Sequence, residues 1–262
     1  SLNIFQAHMS MKYNVSLKYS SLKEEILDIR NNFRSTGESI KSGRNHLKII
    51  NLDHKKFVVK SFQKPAAIKS YTYGNIFPSK AKRSFDYANI LLSKEIHTPE
   101  PVAYIEHYNG LQFQESFYIS EYYPYDYDLS VLFTERGDNK TPFKDSESLW
   151  TAFIKFTLEL HHNGIDHLDY TRRNVLIAQQ GGEYSFSIVD LNRIDFKSLS
   201  LRDRMKSLSR ITSDSDLVKM IAKYYSAESV YDYYKCLHLL QYFVREHQKY
   251  WDTKKQLKRM LK

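Results

Sequence analysis

Cysteine is almost missing from this chain of 262 residues: Cys236 stands alone. One thiol excludes an internal disulfide framework and any multi-cysteine metal site, and it fits a reducing compartment. Long apolar runs are missing too. None approaches the ~20 residues that a bilayer-crossing helix needs. The opening SLNIFQAHMSMKYNV has neither the positive start nor the apolar centre of a secretory signal, and its HM reads as a vector scar ahead of a native Met9 or Met11. Acid is scarce beside base. The 30 Asp and Glu against 39 Lys and Arg leave a net charge of +9, which asks for an anionic partner. Nucleic acid, phospholipid and a phosphorylated small molecule all qualify by charge. No zinc-finger, helix-turn-helix or RNA-recognition signature is present, so no nucleic acid is expected.

What is present is ordinary for a folded protein. Hydrophobic residues make up 42% and charged ones 26%, enough apolar material at this length for a sizeable core in one bilobal domain or two small ones. The first half reads as strands and the second as helices, with no internal repeat and no low-complexity linker. LKYSSLKEEILDIRNNF mixes polar residues with Ile26, Leu27, Ile29 and Phe33, and its state stays open. After Gly37 three short strands are expected, Glu38 to Lys41, His46 to Asn51 and Lys56 to Phe62, joined by the turn formers of SGRN and LDHK. SKAKRSFDYANILLSK places Phe85, Ala88, Leu91 and Leu92 on one helical face, with Ser79 as its cap. A hairpin turning at Asn109-Gly110 follows, then the tyrosine-rich connector EYYPYDYDLS.

Beyond the connector the period becomes helical. Leu149, Phe153, Phe156 and Leu160, stopped by Gly164, mark an amphipathic helix. Two short strands, NVLIA and FSIVDL, flank the turn QQGGEY. The rest looks helical to the end, with Val230, Tyr234, Leu237, Gln241 and Val244 along one stripe.

Between the long helix and the hairpin lies HLDYTRRNVLI, residues 167 to 177, with a His, an Asp and an Asn at offsets of two and five. A polar turn before a strand is the bland reading. The chemical reading is a loop that holds a general base and a metal ligand. A phosphotransferase needs a carboxylate to orient or deprotonate an acceptor hydroxyl, and acidic and amide oxygens to hold Mg²⁺ against the phosphates. Asp169 fits the base, Asn174 one metal ligand, and Asp190, ending the paired strand, the second. Lys60 in FVVKSF stands where a strand lysine grips the α and β phosphates, the alternative being a solvated lysine.

With those residues in order, the sequence resembles the protein kinase-like superfamily, carried by Lys60, HLDYTRRN and VDLN from about Gly37 to Val244. The resemblance implies an α+β, bilobal protein kinase-like fold. It would have a small antiparallel-sheet, nucleotide-binding N-lobe with one main helix (residues 1–123) and a mainly helical, catalytic C-lobe (residues 124–262). ATP and Mg²⁺ are the implied cofactors. Departures point away from protein kinases: VDLNR replaces Asp-Phe-Gly, no Ala-Pro-Glu motif follows, and Thr171 stands where a lysine is common. The phosphate-covering loop has only Gly37 and Gly43, with Arg44 adding charge. Asp86, the one acid on the helix after Lys60 clear of its end, is the candidate ion-pair partner of that lysine, or else a surface residue. Glu121 to Tyr123 would offer backbone groups to adenine. Arg172 and Arg173 would neutralise transferred phosphate or acceptor, a solvated pair being the alternative, and His167 would bond backbone near the loop.

A narrower resemblance is to the bacterial lipopolysaccharide core kinases, the heptose and Kdo (3-deoxy-D-manno-octulosonate) kinases. It rests on SKAKRSFDYANILLSKEIHTPEPVAYIE, continued by FYISEYY and HLDYTRRNVL. It implies a lipid-linked core sugar, Kdo or heptose, as acceptor, phosphorylated in the cytoplasm at the inner membrane. Kinases of another small hydroxylated molecule, such as an aminoglycoside or sugar, and a non-catalytic nucleotide-binding scaffold are the other readings. The tail WDTKKQLKRMLK, with Lys254, Lys255, Lys258, Arg259 and Lys262 beside Trp251, Leu257, Met260 and Leu261, can form a basic amphipathic helix that meets an anionic membrane surface, or a solvated helix end.

Overall fold

Alternation builds the first unit. In Lys55–Phe62, Phe57 and Val59 are buried while Val58 and Lys60, of the other parity, are half-buried on the opposite side. The computed structural model describes residues 9–41, 45–63, 77–133 and 147–260. It divides into two compact units, Ser1–Tyr123 and Pro124–Lys262. In the first, strands β1 (Met9–Val15), β2 (Glu38–Lys41), β3 (Asn45–Leu52), β4 (Lys55–Phe62), β5 (Pro101–Asn109) and β6 (Gln112–Glu121) form one sheet in the order β1-β5-β6-β4-β3-β2. Every pairing is antiparallel. Asp53 (φ 44°) and His54 (φ 60°) make the left-handed two-residue turn between β3 and β4. Gly37 (φ 83°) enters β2 where a Cβ would lie 2.5 Å from the Ile49 carbonyl oxygen, so only glycine fits.

The two faces of that sheet are covered differently. The segment left open by the sequence is helical: a 3-10 helix Leu17–Leu22, then α1 (Lys23–Leu27) and α2 (Ile29–Asn32). Tyr19, Leu22, Ile26, Ile29 and Phe33 recur at spacings of three and four and are buried against Ile50, Phe57, Val59, Ile105, Phe117 and Ile119. Each such burial contributes about 1.5–3 kcal/mol before conformational entropy is subtracted. Helix α3 (Lys80–Ser93) takes the other face, where Phe85 meets Tyr104 edge-on at 5.5 Å. Ser79 caps it, accepting from the Lys82 amide at 3.1 Å. Lys60, opposite in parity to Phe57 and Val59, belongs to the α3 face.

The second unit is built round α4 (Glu147–His162), which follows β7 (Tyr127–Asp128) in the chain. Its aromatic side packs Trp150 on Tyr224 at 6.0 Å and Phe156 on Phe186 at 5.5 Å. Gly164 (φ 71°) ends it, a Cβ there lying 2.8 Å from the Lys197 carbonyl oxygen. Strands β8 (Ile165–His167), β9 (Val175–Gln180), β10 (Glu183–Ile188) and β11 (Ile194–Phe196) then form two small antiparallel sheets, β10-β9-β7 and β11-β8. Three helices complete the unit: α5 (Leu201–Leu208), α6 (Ser215–Ala227) and α7 (Tyr233–Met260). The stripe expected on the last one is displaced. Val230 precedes the helix and is 96% exposed, Tyr234 is 65% exposed, and the buried line runs Cys236, Leu240, Phe243 and Val244. No helix among the described residues is long and apolar enough to cross a membrane.

Candidate active site

Two short sheets hold the loop HLDYTRRN from both ends. On one side His167 pairs with Ile194; on the other Val175 pairs with Ile188. His167 is 1% exposed and bonds at both ring nitrogens. Its Nδ1 accepts from the Asp169 amide at 3.1 Å, so Nε2 carries the proton and donates to the Val189 carbonyl at 3.0 Å. Burial, outweighing the bond to Val189 and the nearby carboxylates of Asp190 and Asp169, lowers its pKa and keeps the ring neutral. His167 therefore ties the Asp169 turn to the residue before Asp190, the backbone role expected of it.

Asn174 closes the loop from the other end. Its Nδ2 donates to the Asp169 carbonyl at 2.8 Å, and its own carbonyl accepts from the Val189 amide at 3.0 Å. The Asp169 carbonyl also accepts the Thr171 amide at 2.8 Å. With the Asp169 backbone fixed at both amide and carbonyl, the carboxylate is presented from a rigid turn. Asp190 lies at φ 64°, a left-handed conformation that a non-glycine residue adopts at a cost of about 1–3 kcal/mol and that concentrates at functional sites. Asn192 Nδ2 donates to its Oδ1 at 2.6 Å. His167, Asn174 and Val189 thus link the turn at Asp169 to the strand end before Asp190, and Asn192 bonds the Asp190 carboxylate.

This donor set suits one kind of metal. Because Nδ2 of Asn174 is engaged with the Asp169 carbonyl, its amide oxygen is the atom that could coordinate a metal, and with the Asp190 carboxylate it would make two hard donors. Among the described residues no group of three or more His, Cys, Asp or Glu is placed to hold an ion. Two protein oxygens fit Mg²⁺, which keeps water and phosphate oxygens in its shell.

Charge surrounds the turn. Asp166, 4% exposed, faces Arg210 at 3.6 Å and Lys197 at 4.0 Å. Burial lowers the Arg210 pKa, with Asp166 and Asp169 acting in the opposite direction. His247 on α7 is lowered chiefly by burial, then by Arg210, and is pulled the other way by Asp169, which brings the last helix electrostatically within reach of the turn. Arg172 is exposed, its guanidinium 5.3 Å from the centre of the Phe133 ring.

The remaining candidates lie in the first unit. Lys60 pairs in register with Tyr118, and its Nζ lies 5.3 Å from the Phe62 ring centre. Asp86 engages a lysine of its own helix. It accepts from Lys82 Nζ at 2.7 Å, one turn earlier on α3, because an i,i+4 pair closes within the helix without any reach to the sheet. Glu121 ends β6, and Tyr123 is half-buried. The Glu121 amide donates to the Glu100 carbonyl and the Tyr122 amide to the Lys56 carbonyl, each at 2.9 Å, which pins the strand end. Gly43 and Arg44 lie outside the described residues.

Several members of these groups had no role that the sequence spelled out. Asn192 stood two residues after Asp190 in VDLN, a spacing that a short amide donor spans, and it had no role assigned. Asp166 and Arg210 meet only through tertiary packing.

A sequence model described as lipopolysaccharide kinase (Kdo/WaaP) family matches residues 27–227. A search of curated protein sequences returns no match. Among solved structures, "WaaP in complex with acyl carrier protein" is similar with a TM-score of 0.62 at 16% identity, over 91% of this chain and 98% of that one. At that identity the likeness establishes the fold, which is protein kinase-like.

Proposed function

Since the chain belongs to the lipopolysaccharide kinase (Kdo/WaaP) family, we propose that it transfers the γ-phosphoryl group of ATP to a hydroxyl of an inner-core sugar, Kdo or heptose. The observation that supports the reading is that His167 bonds both the Asp169 amide and the carbonyl of Val189, the residue before Asp190, while Asn174 bonds the Asp169 carbonyl.

Asp169 takes the proton from, or orients, the acceptor hydroxyl, and its doubly fixed backbone sets the direction of attack. The Asn174 amide oxygen and the Asp190 carboxylate hold Mg²⁺, and Asn192 keeps the Asp190 carboxylate turned for that task. The metal, when bound, neutralises charge on the phosphates. Lys60 engages the α and β phosphates, and Glu121 to Tyr123 meet the adenine with main-chain groups. Arg172 supplies positive charge on the acceptor side. The exposed end of α7, with Tyr250, Trp251 and Leu257 among Lys249, Lys254, Lys255, Lys258 and Arg259, holds the enzyme to an anionic membrane where a lipid-linked sugar resides.

Incubation with ATP, Mg²⁺ and purified Kdo-lipid A or its heptose-extended form, followed by mass spectrometry, tests this. Gain of one phosphate, lost in Asp169→Ala, is the expected result. Phosphate appearing on an aminoglycoside or free sugar but on neither lipid would move the assignment to a small-molecule kinase. Nucleotide binding without transfer to any acceptor would make the chain a scaffold.

A further inference from the structure

Tyr19 belongs to the 3-10 helix that lies before the family-matched residues 27–227, yet it is 1% exposed and its hydroxyl donates to Glu121 Oε1 at 2.6 Å. Lys18 Nζ lies 3.3 Å from the same oxygen. The Tyr19 ring meets Phe57 edge-on at 5.9 Å, and Phe57 is the residue directly opposite Glu121 in the β4–β6 register. An N-terminal segment thus grips the last residue of β6 by its side chain from the sheet face that α3 does not cover.

We infer that Tyr19, assisted by Lys18, is a positioning residue for the base end of the nucleotide site, fixing Glu121 and through it the backbone of Glu121 to Tyr123. The inference rests on the reading of that segment as the one that meets adenine. A half-exposed glutamate at a strand end has many rotamers; a buried phenol and an ammonium on one oxygen select one. Together with the amide bonds to Glu100 and Lys56, the side-chain bond holds the strand end on three sides. Burial and the neighbouring carboxylate both raise the Tyr19 pKa, so its hydroxyl remains a donor throughout the neutral range. For Glu121, burial acts upward, but the bonds from Tyr19 and Lys18 prevail and lower it, so the acceptor stays ionised.

The test compares two ligands on the full chain by calorimetry with Mg²⁺: ATP, which has a base, and inorganic tripolyphosphate, which has none. Tyr19→Phe keeps the buried ring and removes one hydroxyl. Its ATP affinity should fall about tenfold, the size of one hydrogen bond to a charged group, with tripolyphosphate affinity unchanged. Equal falls for both ligands, or no fall, would overturn the positioning role while leaving the nucleotide reading in place. If the parent itself binds tripolyphosphate as tightly as ATP, the adenine reading of Glu121 to Tyr123 fails and the positioning role with it. Glu121→Gln removes the acceptor charge from the other side and serves if Tyr19→Phe does not fold. It should show the same ATP-selective loss, and the double variant should lose no more than the weaker-binding single one. Full additivity would show that the two side chains act separately and would refute the inference.

Discussion

His161, at the end of α4, fixes how the second unit responds to acid. It is 2% exposed, and its Nδ1 lies 2.9 Å from the Tyr225 hydroxyl. Arg204 Nη1 reaches the same hydroxyl at 3.4 Å and can only donate, so the Tyr225 hydrogen points to the imidazole, which must be neutral to accept it. Burial first, then the charges of Arg204 and His162, lower the His161 pKa from 6.5 to about 3. An unfolded chain takes up this proton near pH 6.5 and the folded one does not, so stability is lost as pH falls below that value. At pH 5, about 1.5 pH units lower, the loss from this one group is about 2 kcal/mol. Urea unfolding followed by tryptophan fluorescence reads it, since Trp150 is fully buried in the same unit. The comparison is between parent and His161→Gln at pH 7 and pH 5, because the amide does not titrate while other groups cancel. The stability difference between the two proteins should shift by about 2 kcal/mol against the parent on acidification. A difference that does not change with pH would refute the buried-neutral assignment.

Other outcomes follow from the site. Asp169→Ala should lower phosphoryl transfer about a thousandfold while calorimetric ATP affinity stays near that of the parent, and substantial residual turnover would remove the residue from its role. Asp190→Asn and Asn174→Ala should each weaken Mg²⁺-dependent ATP binding in thermal-shift titrations, and shifts equal to the parent's would exclude them as ligands. Asn192→Ala, acting through Asp190, should weaken Mg-ATP binding about tenfold, with binding of metal-free ATP as the control that must not move. Removal of residues 252–262 should reduce sedimentation with anionic liposomes at low salt, each basic residue there contributing about 1 kcal/mol, and equal sedimentation would leave the tail without a membrane role.

Strong local patterns were legible in the sequence. The first strand of the meander occupies the expected residues Glu38–Lys41, the helix capped by Ser79 begins at Lys80, and the Asn109-Gly110 signal turns the β5–β6 hairpin. His-x-Asp-x₄-Asn and the downstream Val-Asp together pointed to the turn that the structure assembles, because a motif on one loop needs little tertiary information. What escaped notice depends on partners far away in the chain. Strand β1 has six of its seven residues exposed and no alternation to betray it, since it is an edge held by β5. The buried stripe from Tyr19 to Phe33 does have helical spacing, but the backbone is broken into three short pieces and the polar residues between obscured it. Asp86 drew notice as the preferred acid on its helix, and the contact it makes with Lys82, four residues earlier, is one that helical spacing alone offers.

The grip of the N-terminal segment on the sheet has a consequence for the order of events during synthesis. Met9 pairs with Asn109 and Val15 with Ala103, and Tyr19 reaches Glu121, so everything before Phe33 leaves the ribosome well ahead of the surfaces that receive it. Until β5 and β6 have been made, Leu22, Ile26, Ile29 and Phe33 have only the part of the sheet face formed by Ile50, Phe57 and Val59 to cover, and β1 has no strand to join. Loop closure over so long a separation is slow compared with hairpin formation. The local β3–β4 and β5–β6 hairpins should therefore form first, and β1 can pair only once β5 exists. In the interval the nascent chain carries an exposed apolar stripe of the kind that chaperones hold.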